Sequence, residues 1–227
     1  MARLSCTCGK VVVSLGSAPV WRFECCCCDC RKGFAWCAER GGPTAPLLPE
    51  LVYFPNALRI DQGMDQLKNY LIVEGFNTRR VVAGCCMSCL LADHPAYGGV
   101  RIAIYPQTAL LALTGDASLR PVDGRIFKTD MTAEELAALP PEVPPADGHG
   151  DWQTSTDECK AALADLAAAP GKYLTVQNLI DHIGKHEVMD PSHDGPSTFW
   201  NKRHPCAASS VLVCCDGTPS VGACSKK

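Results

Sequence analysis

The stretch LSCTCGKVVVSL (Leu4–Leu15) places two closely spaced cysteines directly before a run of β-branched residues. The valines predict a β-strand from Lys10 to Leu15. In a C-x-C on extended chain the two thiols point to the same side, so Cys6 and Cys8 can reach one ion. This stretch therefore predicts a first strand that carries a metal-binding pair of thiols.

A second pair of thiols occurs much later, in the sequence Cys85-Cys86-Met87-Ser88-Cys89. A C-x-x-C around a tight turn also directs both thiols to one ion, which here selects Cys86 and Cys89. Four thiolates in two pairs close a tetrahedral zinc site. We therefore predict a structural zinc that joins the first strand to a strand near residue 85, with the ligands Cys6, Cys8, Cys86 and Cys89. The alternative is that these cysteines are ordinary buried thiols or adventitious ligands.

Between these pairs lies FECCCCDCRK (Phe23–Lys32), which has five thiols in six positions. Read as C-x-C-x-x-C, it supplies Cys25, Cys27 and Cys30, with no obvious fourth protein ligand. Structural zinc sites are closed, whereas reactive ones keep a position for water or substrate. The spacing therefore predicts a second, open zinc site. A competing register consists of Cys26, Cys28 and Cys30.

Composition limits the possible partners and compartments. The chain has 227 residues, sixteen cysteines and a formal net charge of −3. This small charge gives no electrostatic reason to expect nucleic acid or an anionic membrane as a partner. The N-terminal apolar run is too short for a secretory signal, and no run approaches the ~18 apolar residues of a membrane span. We therefore expect a cytoplasmic protein, in a reducing compartment where clustered cysteines favour metal binding or thiol chemistry.

Residues 1–115 are predicted to form a mainly β domain. Short runs rich in Val, Ile, Leu and aromatic residues alternate with Gly, Pro, Asn and Asp, as strands and turns require. The predicted strands are Lys10–Leu15, Trp21–Glu24, Glu50–Phe54, Ala57–Ile60, Gln66–Val73, Thr78–Ala83 and Val100–Tyr105.

Residues 116–227 are predicted to form a helical C-terminal extension with a flexible tail. Thr132 and Glu135 have the spacing of a capping box at a helix start. Further helices are predicted over 156–168 and 175–186, after a Pro-rich linker at 140–151, and their surface is a candidate site for a protein partner. The tail includes four cysteines that match no zinc spacing and are expected to be free thiols, Cys206, Cys214, Cys215 and Cys224.

Three motifs in this order resemble a known family. They are C-x-C-G near the N-terminus, C-x-C-x-x-C-R-K some twenty residues later, and R-x-x-x-x-C-C-x-x-C after several strands. Together they are similar to the glutathione-dependent formaldehyde-activating enzymes, a family that shares its domain with centromere protein V. The resemblance covers roughly residues 3 to 110 and implies the Mss4-like β fold.

The resemblance also implies site residues and an activity. The first and third motifs hold a structural zinc in the family, which implies Cys6, Cys8, Cys86 and Cys89 here. The middle motif holds a second, catalytic zinc, which implies Cys25, Cys27 and Cys30. In an uncharacterised branch of these proteins proline occupies the position of Cys89, and Cys85 would then complete the structural site. The implied activity joins formaldehyde to a small-molecule thiol, glutathione, as a carbon–sulfur lyase-type enzyme. The alternative function is a non-catalytic, zinc-stabilised module, such as a subunit of a larger assembly.

Overall fold

The computed structural model describes residues 2–115, 118–141, 152–167 and 172–189. Most of the predicted linker at 140–151 and the four late cysteines lie outside the described residues, as does the predicted tail. Within the described residues the protein is mainly β, with two sheets and twelve strands.

The strands are short, and their bounds follow chain order. They are β1 (Ala2–Ser5), β2 (Val12–Leu15), β3 (Trp21–Cys25), β4 (Glu50–Pro55), β5 (Leu58–Gln62), β6 (Leu67–Leu71), β7 (Arg79–Ala83), β8 (Ser88–Asp93), β9 (Arg101–Ile104), β10 (Leu110–Leu113), β11 (Gly124–Ile126) and β12 (Glu187–Val188). The small sheet has the order β10-β1-β2-β5, and the large one β11-β3-β4-β9-β8-β7-β6-β12. The strands from β3 to β6 in the large sheet pair antiparallel, whereas β11 and β12 add parallel edges.

Four α-helices accompany the sheets. They are α1 (Cys28–Glu39), α2 (Ala133–Ala137), α3 (Trp152–Ala167) and α4 (Val176–Ile183). The capping box predicted at Thr132 and Glu135 is present at the start of α2, and Thr175 forms a similar one with Asn178 at the start of α4. Such a box stabilises a helix start because it satisfies backbone N–H groups that have no partner within the helix.

The large sheet is buried on both faces. Side chains alternate along a strand, so neighbours such as Tyr53 and Phe54 enter opposite layers. Tyr53 belongs to a core beneath α1, which we call the helix-side core and which also contains Phe34. Phe54 belongs to the sheet-side core, which lies between the two sheets and contains Leu4. Two apolar layers therefore share one sheet.

Residues on both sides of position 115 contribute to this architecture. Strands β11 and β12 pair with β3 and β6 at the two edges of the large sheet. The buried guanidinium of Arg101 on β9 donates a 2.8 Å hydrogen bond to the hydroxyl of Ser155 and a second one to Thr156, which holds α3 against the sheet. Helix α4 places Leu179 in the sheet-side core.

The sequence located most of the strands but missed one helix. All seven predicted strands are present, with bounds that differ by a few residues. The missed helix is α1, which begins within the middle cysteine stretch, at Cys28. Five strands were not predicted, β1, β8, β10, β11 and β12. Of the residues 116–227, the described ones contain three helices and two short strands, and a helical extension beyond them stays a prediction.

None of the helices in the described segments is both long and apolar enough to cross a membrane.

The burial of α4 predicts that it contributes to the stability of the fold. The side chain of Leu179 is 0% exposed. Its truncation in Leu179→Ala should lower the free energy of unfolding by about 2–5 kcal/mol, because it leaves a cavity in the core. The control Leu47→Ala truncates a side chain that is 66% exposed and should change it by less than about 0.5 kcal/mol. Urea denaturation at constant metal content measures both, and equal stabilities would show that α4 does not belong to the core.

Candidate metal centres

The first group of thiols lies where two hairpin turns meet. Cys6 and Cys8 belong to the turn between β1 and β2, and Cys85 and Cys86 belong to the turn of residues 84–87 between β7 and β8. All four sulfur atoms lie within 4.8 Å of one another. The C-x-C therefore lies on a turn and not on the extended strand that the sequence predicted, but its two thiols still converge.

The spacing of these sulfur atoms fits a tetrahedral metal ion. The Sγ atoms of Cys6 and Cys8 are 3.5 Å apart, those of Cys8 and Cys85 are 3.4 Å apart, and those of Cys85 and Cys86 are 4.0 Å apart. A tetrahedral site with metal–sulfur bonds of ~2.3 Å has its sulfur atoms about 3.8 Å apart. This group could therefore hold a metal ion without a large rearrangement.

Neighbouring polar groups favour a thiolate in this group. Burial opposes ionisation of Cys86, but hydrogen bonds from Ser88 and Thr7 outweigh it and lower the pKa of this thiol to about 6. The sulfur of Cys86 lies 3.2 Å from the hydroxyl of Ser88 and 3.5 Å from that of Thr7. The backbone N–H of Val11 also donates to the sulfur of Cys6 at 3.2 Å. Such donors hold ligands in place and favour the deprotonated form that binds metal.

Cys89, predicted as the fourth ligand, is not part of this group, and Cys85 takes that place. The reason is the alternation of side chains along β8. Ser88 points towards Cys86, so the next residue, Cys89, points to the opposite face and enters the helix-side core. There its thiol lies beside Cys37 of α1. The structure therefore favours the Cys85 alternative over the C-x-x-C reading.

The second group consists of Cys25, Cys27 and Cys30, whose sulfur atoms lie within 4.8 Å of one another. Cys25 ends β3, Cys27 is the N-cap of α1, and Cys30 lies in the first helical turn. The sulfur of Cys27 accepts a 3.3 Å hydrogen bond from the backbone N–H of Cys30. The junction of a strand and a helix start thus brings three thiols together, and they could hold a metal ion. This is the predicted register.

Charge in the second group is concentrated on one thiol. Hydrogen bonds from Cys25 and Cys27 hold the pKa of Cys30 well below its usual value, against the effect of burial, and the Arg80 guanidinium adds to this. Burial raises the pKa of Cys25. The pKa of Cys27 is also raised, chiefly by the hydrogen bond between Cys27 and Cys25. The N-terminus of α1 also favours negative charge at this position. The group is thus suited to carry a thiolate.

The remaining two cysteines of the middle stretch point elsewhere. Cys26 is 0% exposed and packs with Leu48, Met131 and Leu139 in a separate small core. Cys28 is also 0% exposed, and its backbone N–H donates a 3.2 Å hydrogen bond to the carboxylate of Asp130. Neither belongs to the metal-binding group.

Sequence reasoning missed several side chains around the second group. Of the adjacent arginines Arg79 and Arg80 in β7, Arg80 is only 2% exposed and lies near Cys30. The alternation in Arg80-Val81-Val82 indicates this burial, since Val82 enters the same helix-side core. Three tyrosines complete the surroundings, and no signal in the sequence marks them, Tyr53, Tyr97 and Tyr105.

Comparison with known proteins does not identify a family. No family model matches the chain. A 3-carboxy-cis,cis-muconate cycloisomerase of Bradyrhizobium diazoefficiens (strain USDA 110) is 30% identical over 131 residues, which is 55% of this chain and 26% of that enzyme. The chain thus spans about a quarter of the length of this curated relative, and the activity of that enzyme does not transfer on so partial a match.

The membership of the first group can be tested by substitution. Cys85→Ser should lower the bound metal by one equivalent per chain and destabilise the fold, because a structural metal contributes folding free energy. The matched control Cys89→Ser replaces a thiol in the same hairpin and should leave the metal content unchanged. Inductively coupled plasma mass spectrometry of the purified variants measures the metal. Loss of metal in Cys89→Ser with retention in Cys85→Ser would contradict the assignment.

Proposed function

We propose that the protein binds two Zn²⁺ ions and uses the second one to join a small-molecule thiol to an aldehyde. The first ion is structural and is held by Cys6, Cys8, Cys85 and Cys86. The second is held by Cys25, Cys27 and Cys30. The observation that carries the proposal is the composition of this second group, which contains three thiols and, among the described residues, no fourth ligand-type side chain. All-thiol donor sets suit zinc.

The open position defines the chemistry. A bound Zn²⁺ acts as a Lewis acid and lowers the pKa of a thiol that coordinates to it. The cysteines carry negative charge at the site, and the N-terminus of α1 stabilises this charge. The buried guanidinium of Arg80 compensates part of it. The site is therefore suited to a soft, anionic ligand, and a substrate thiolate is such a ligand. The resemblance of the cysteine motifs to those of the glutathione-dependent formaldehyde-activating enzymes supports glutathione as the thiol.

The reaction needs no oxidant or reductant. The S–H bond of the thiol and the π bond of the formaldehyde carbonyl break, the sulfur bonds to the carbonyl carbon, and the proton released by the thiol ends on the carbonyl oxygen. The tyrosines near the second group stay protonated at neutral pH, because desolvation raises the pKa of Tyr53, Tyr97 and Tyr105. Their phenolic hydroxyls can donate hydrogen bonds to the oxygen on which charge develops. The product is the S-hydroxymethyl derivative of the thiol.

One observation favours a second candidate function. Cys25 is 1% exposed and Cys30 is 6% exposed, so two of the three thiols are largely covered by protein. A metal in this position could serve only to hold β3 and α1 together. The protein would then be a non-catalytic, zinc-stabilised module whose C-terminal helices contact a protein partner.

The two functions predict different behaviour of the second zinc. If the enzymatic proposal is correct, addition of glutathione and ¹³C-formaldehyde to the wild type should accelerate formation of S-hydroxymethylglutathione, which ¹³C NMR detects. Cys27→Ser should lower the zinc content from two ions to one and abolish this acceleration. The control Cys26→Ser replaces an adjacent thiol outside the second group and should keep both zinc ions and the activity.

The outcomes separate the hypotheses. Two zinc ions without acceleration, and without any spectral change on addition of glutathione, would favour the structural module. Equal zinc content in Cys27→Ser and the wild type would show that the second group does not bind the metal.

A further inference from the structure

A cavity with several polar lining residues lies at one end of the large sheet, apart from both cysteine groups. We call it the Arg79 cavity. Its volume is about 360 Å³, near the lower end of the ~300–1,000 Å³ range of small-molecule sites. The residues that concern its chemistry are Asn56, Asn77, Arg79, Asp93, His94 and Val176. A cavity of this size fits a small metabolite and not a macromolecule.

Two opposite charges face this cavity. Arg79 on β7 and Asp93 on β8 are direct cross-strand partners, so their side chains start from the same face of the sheet at a separation of roughly 5 Å. Within the described residues the guanidinium of Arg79 makes no hydrogen bond or ion pair. Burial raises the pKa of Asp93, and the charge of Arg79 opposes this in part. Asp93 accepts a hydrogen bond from the backbone N–H of His94. Both charged groups thus retain hydrogen-bonding capacity towards a ligand.

His94 contributes a neutral ring to the lining of the cavity. Its side chain is largely buried, at 8% exposure, and its Nδ1 accepts a 3.0 Å hydrogen bond from the backbone N–H of Ala96. Burial and the charge of Arg80 lower the pKa of His94, so the ring is neutral at neutral pH. In a neutral ring whose Nδ1 accepts, Nε2 carries the proton. This Nε2–H has no hydrogen-bond partner among the described residues, but it is inaccessible to solvent and therefore does not face the open cavity.

Hydrogen bonds hold another lining residue, Asn56, in place. The side-chain oxygen of Asn56 accepts a 2.7 Å hydrogen bond from the backbone N–H of Val176, and its nitrogen donates to the carbonyl of Gly99 at 2.8 Å. Asn56 is 3% exposed and so joins the start of α4 to the loop before β9. This part of the cavity lining is therefore fixed before a ligand binds.

We propose that the Arg79 cavity binds the zwitterionic head of an α-amino acid, with its carboxylate on Arg79 and its ammonium group on Asp93. A simple anion would pair with Arg79 but confront Asp93, and a simple cation would do the reverse. A zwitterion satisfies both charges at once, because a single carbon separates its two groups. Charge-assisted hydrogen bonds of this kind are the stronger ones in proteins.

Two sources can supply this head group, a free amino acid and the γ-glutamyl end of a peptide such as glutathione. The proposal is independent of the metal-based function, because no cysteine of either metal-binding group lines the cavity. Binding of the head group should therefore persist in Cys27→Ser, which separates a failure of this proposal from a failure of the proposed reaction.

The test is titration of the ¹⁵N-labelled full-length protein with L-glutamate, glutathione, acetate and methylamine. L-Glutamate should shift the backbone amides of Asn77, Gly99 and Val176 saturably, in the wild type and in Cys27→Ser alike. Glutathione that shifts the same amides would identify the γ-glutamyl source, whereas shifts with L-glutamate alone would identify a free amino acid. Acetate and methylamine, which carry one charge each, should bind about tenfold or more weakly.

Variants of the two charged residues complete the test. Arg79→Gln and Asp93→Asn should each weaken binding of L-glutamate about tenfold or more, because each removes one charge-assisted contact. The control Arg3→Gln removes an exposed strand arginine in the other sheet and should bind as the wild type does. Three results would overturn the proposal: no saturable shift with either zwitterion, equal binding of acetate and L-glutamate, or unchanged affinity in both cavity variants.

Discussion

Burial of the large sheet on both faces is the constraint on which the arrangement of sites depends. Because side chains alternate along a strand, adjacent residues must enter different layers. Ser88 therefore supports the first cysteine group while Cys89 enters the helix-side core. In the same way Arg80 lies near the second group while Arg79 faces a cavity on the other side. One geometric rule thus assigns neighbouring residues to separate sites.

Different local structures bring the thiols of the two cysteine groups together. The first joins two hairpin turns, so it connects the small sheet to the large one at a point distant in sequence. The second lies where β3 ends and α1 begins, so it depends on local chain geometry and on the helix N-terminus. A metal in the first group would link non-local segments and thus contribute to folding, whereas the second is better suited to hold a reactive charge.

Burial disfavours ionised thiols in the second group, but neighbouring groups outweigh this effect at Cys30. It would keep an isolated thiol protonated, yet the three thiols, the start of α1 and Arg80 together favour a thiolate on Cys30. Arg80 is itself buried and needs nearby negative charge, since an unpaired buried cation is costly. The thiols and the arginine thus stabilise one another. This mutual dependence explains why a strongly polar group is retained inside an apolar layer.

Periodicity, turn residues and cysteine spacing were enough to locate seven strands, the helix starts at Thr132 and Thr175, and the triad of Cys25, Cys27 and Cys30. These features are local, so a short window of sequence contains the whole signal. The choice of Cys85 over Cys89, the burial of Arg80 and the position of the three tyrosines were decided by tertiary structure. Each depends on which face of the sheet a residue occupies and on what packs against that face, and contacts between distant segments set both.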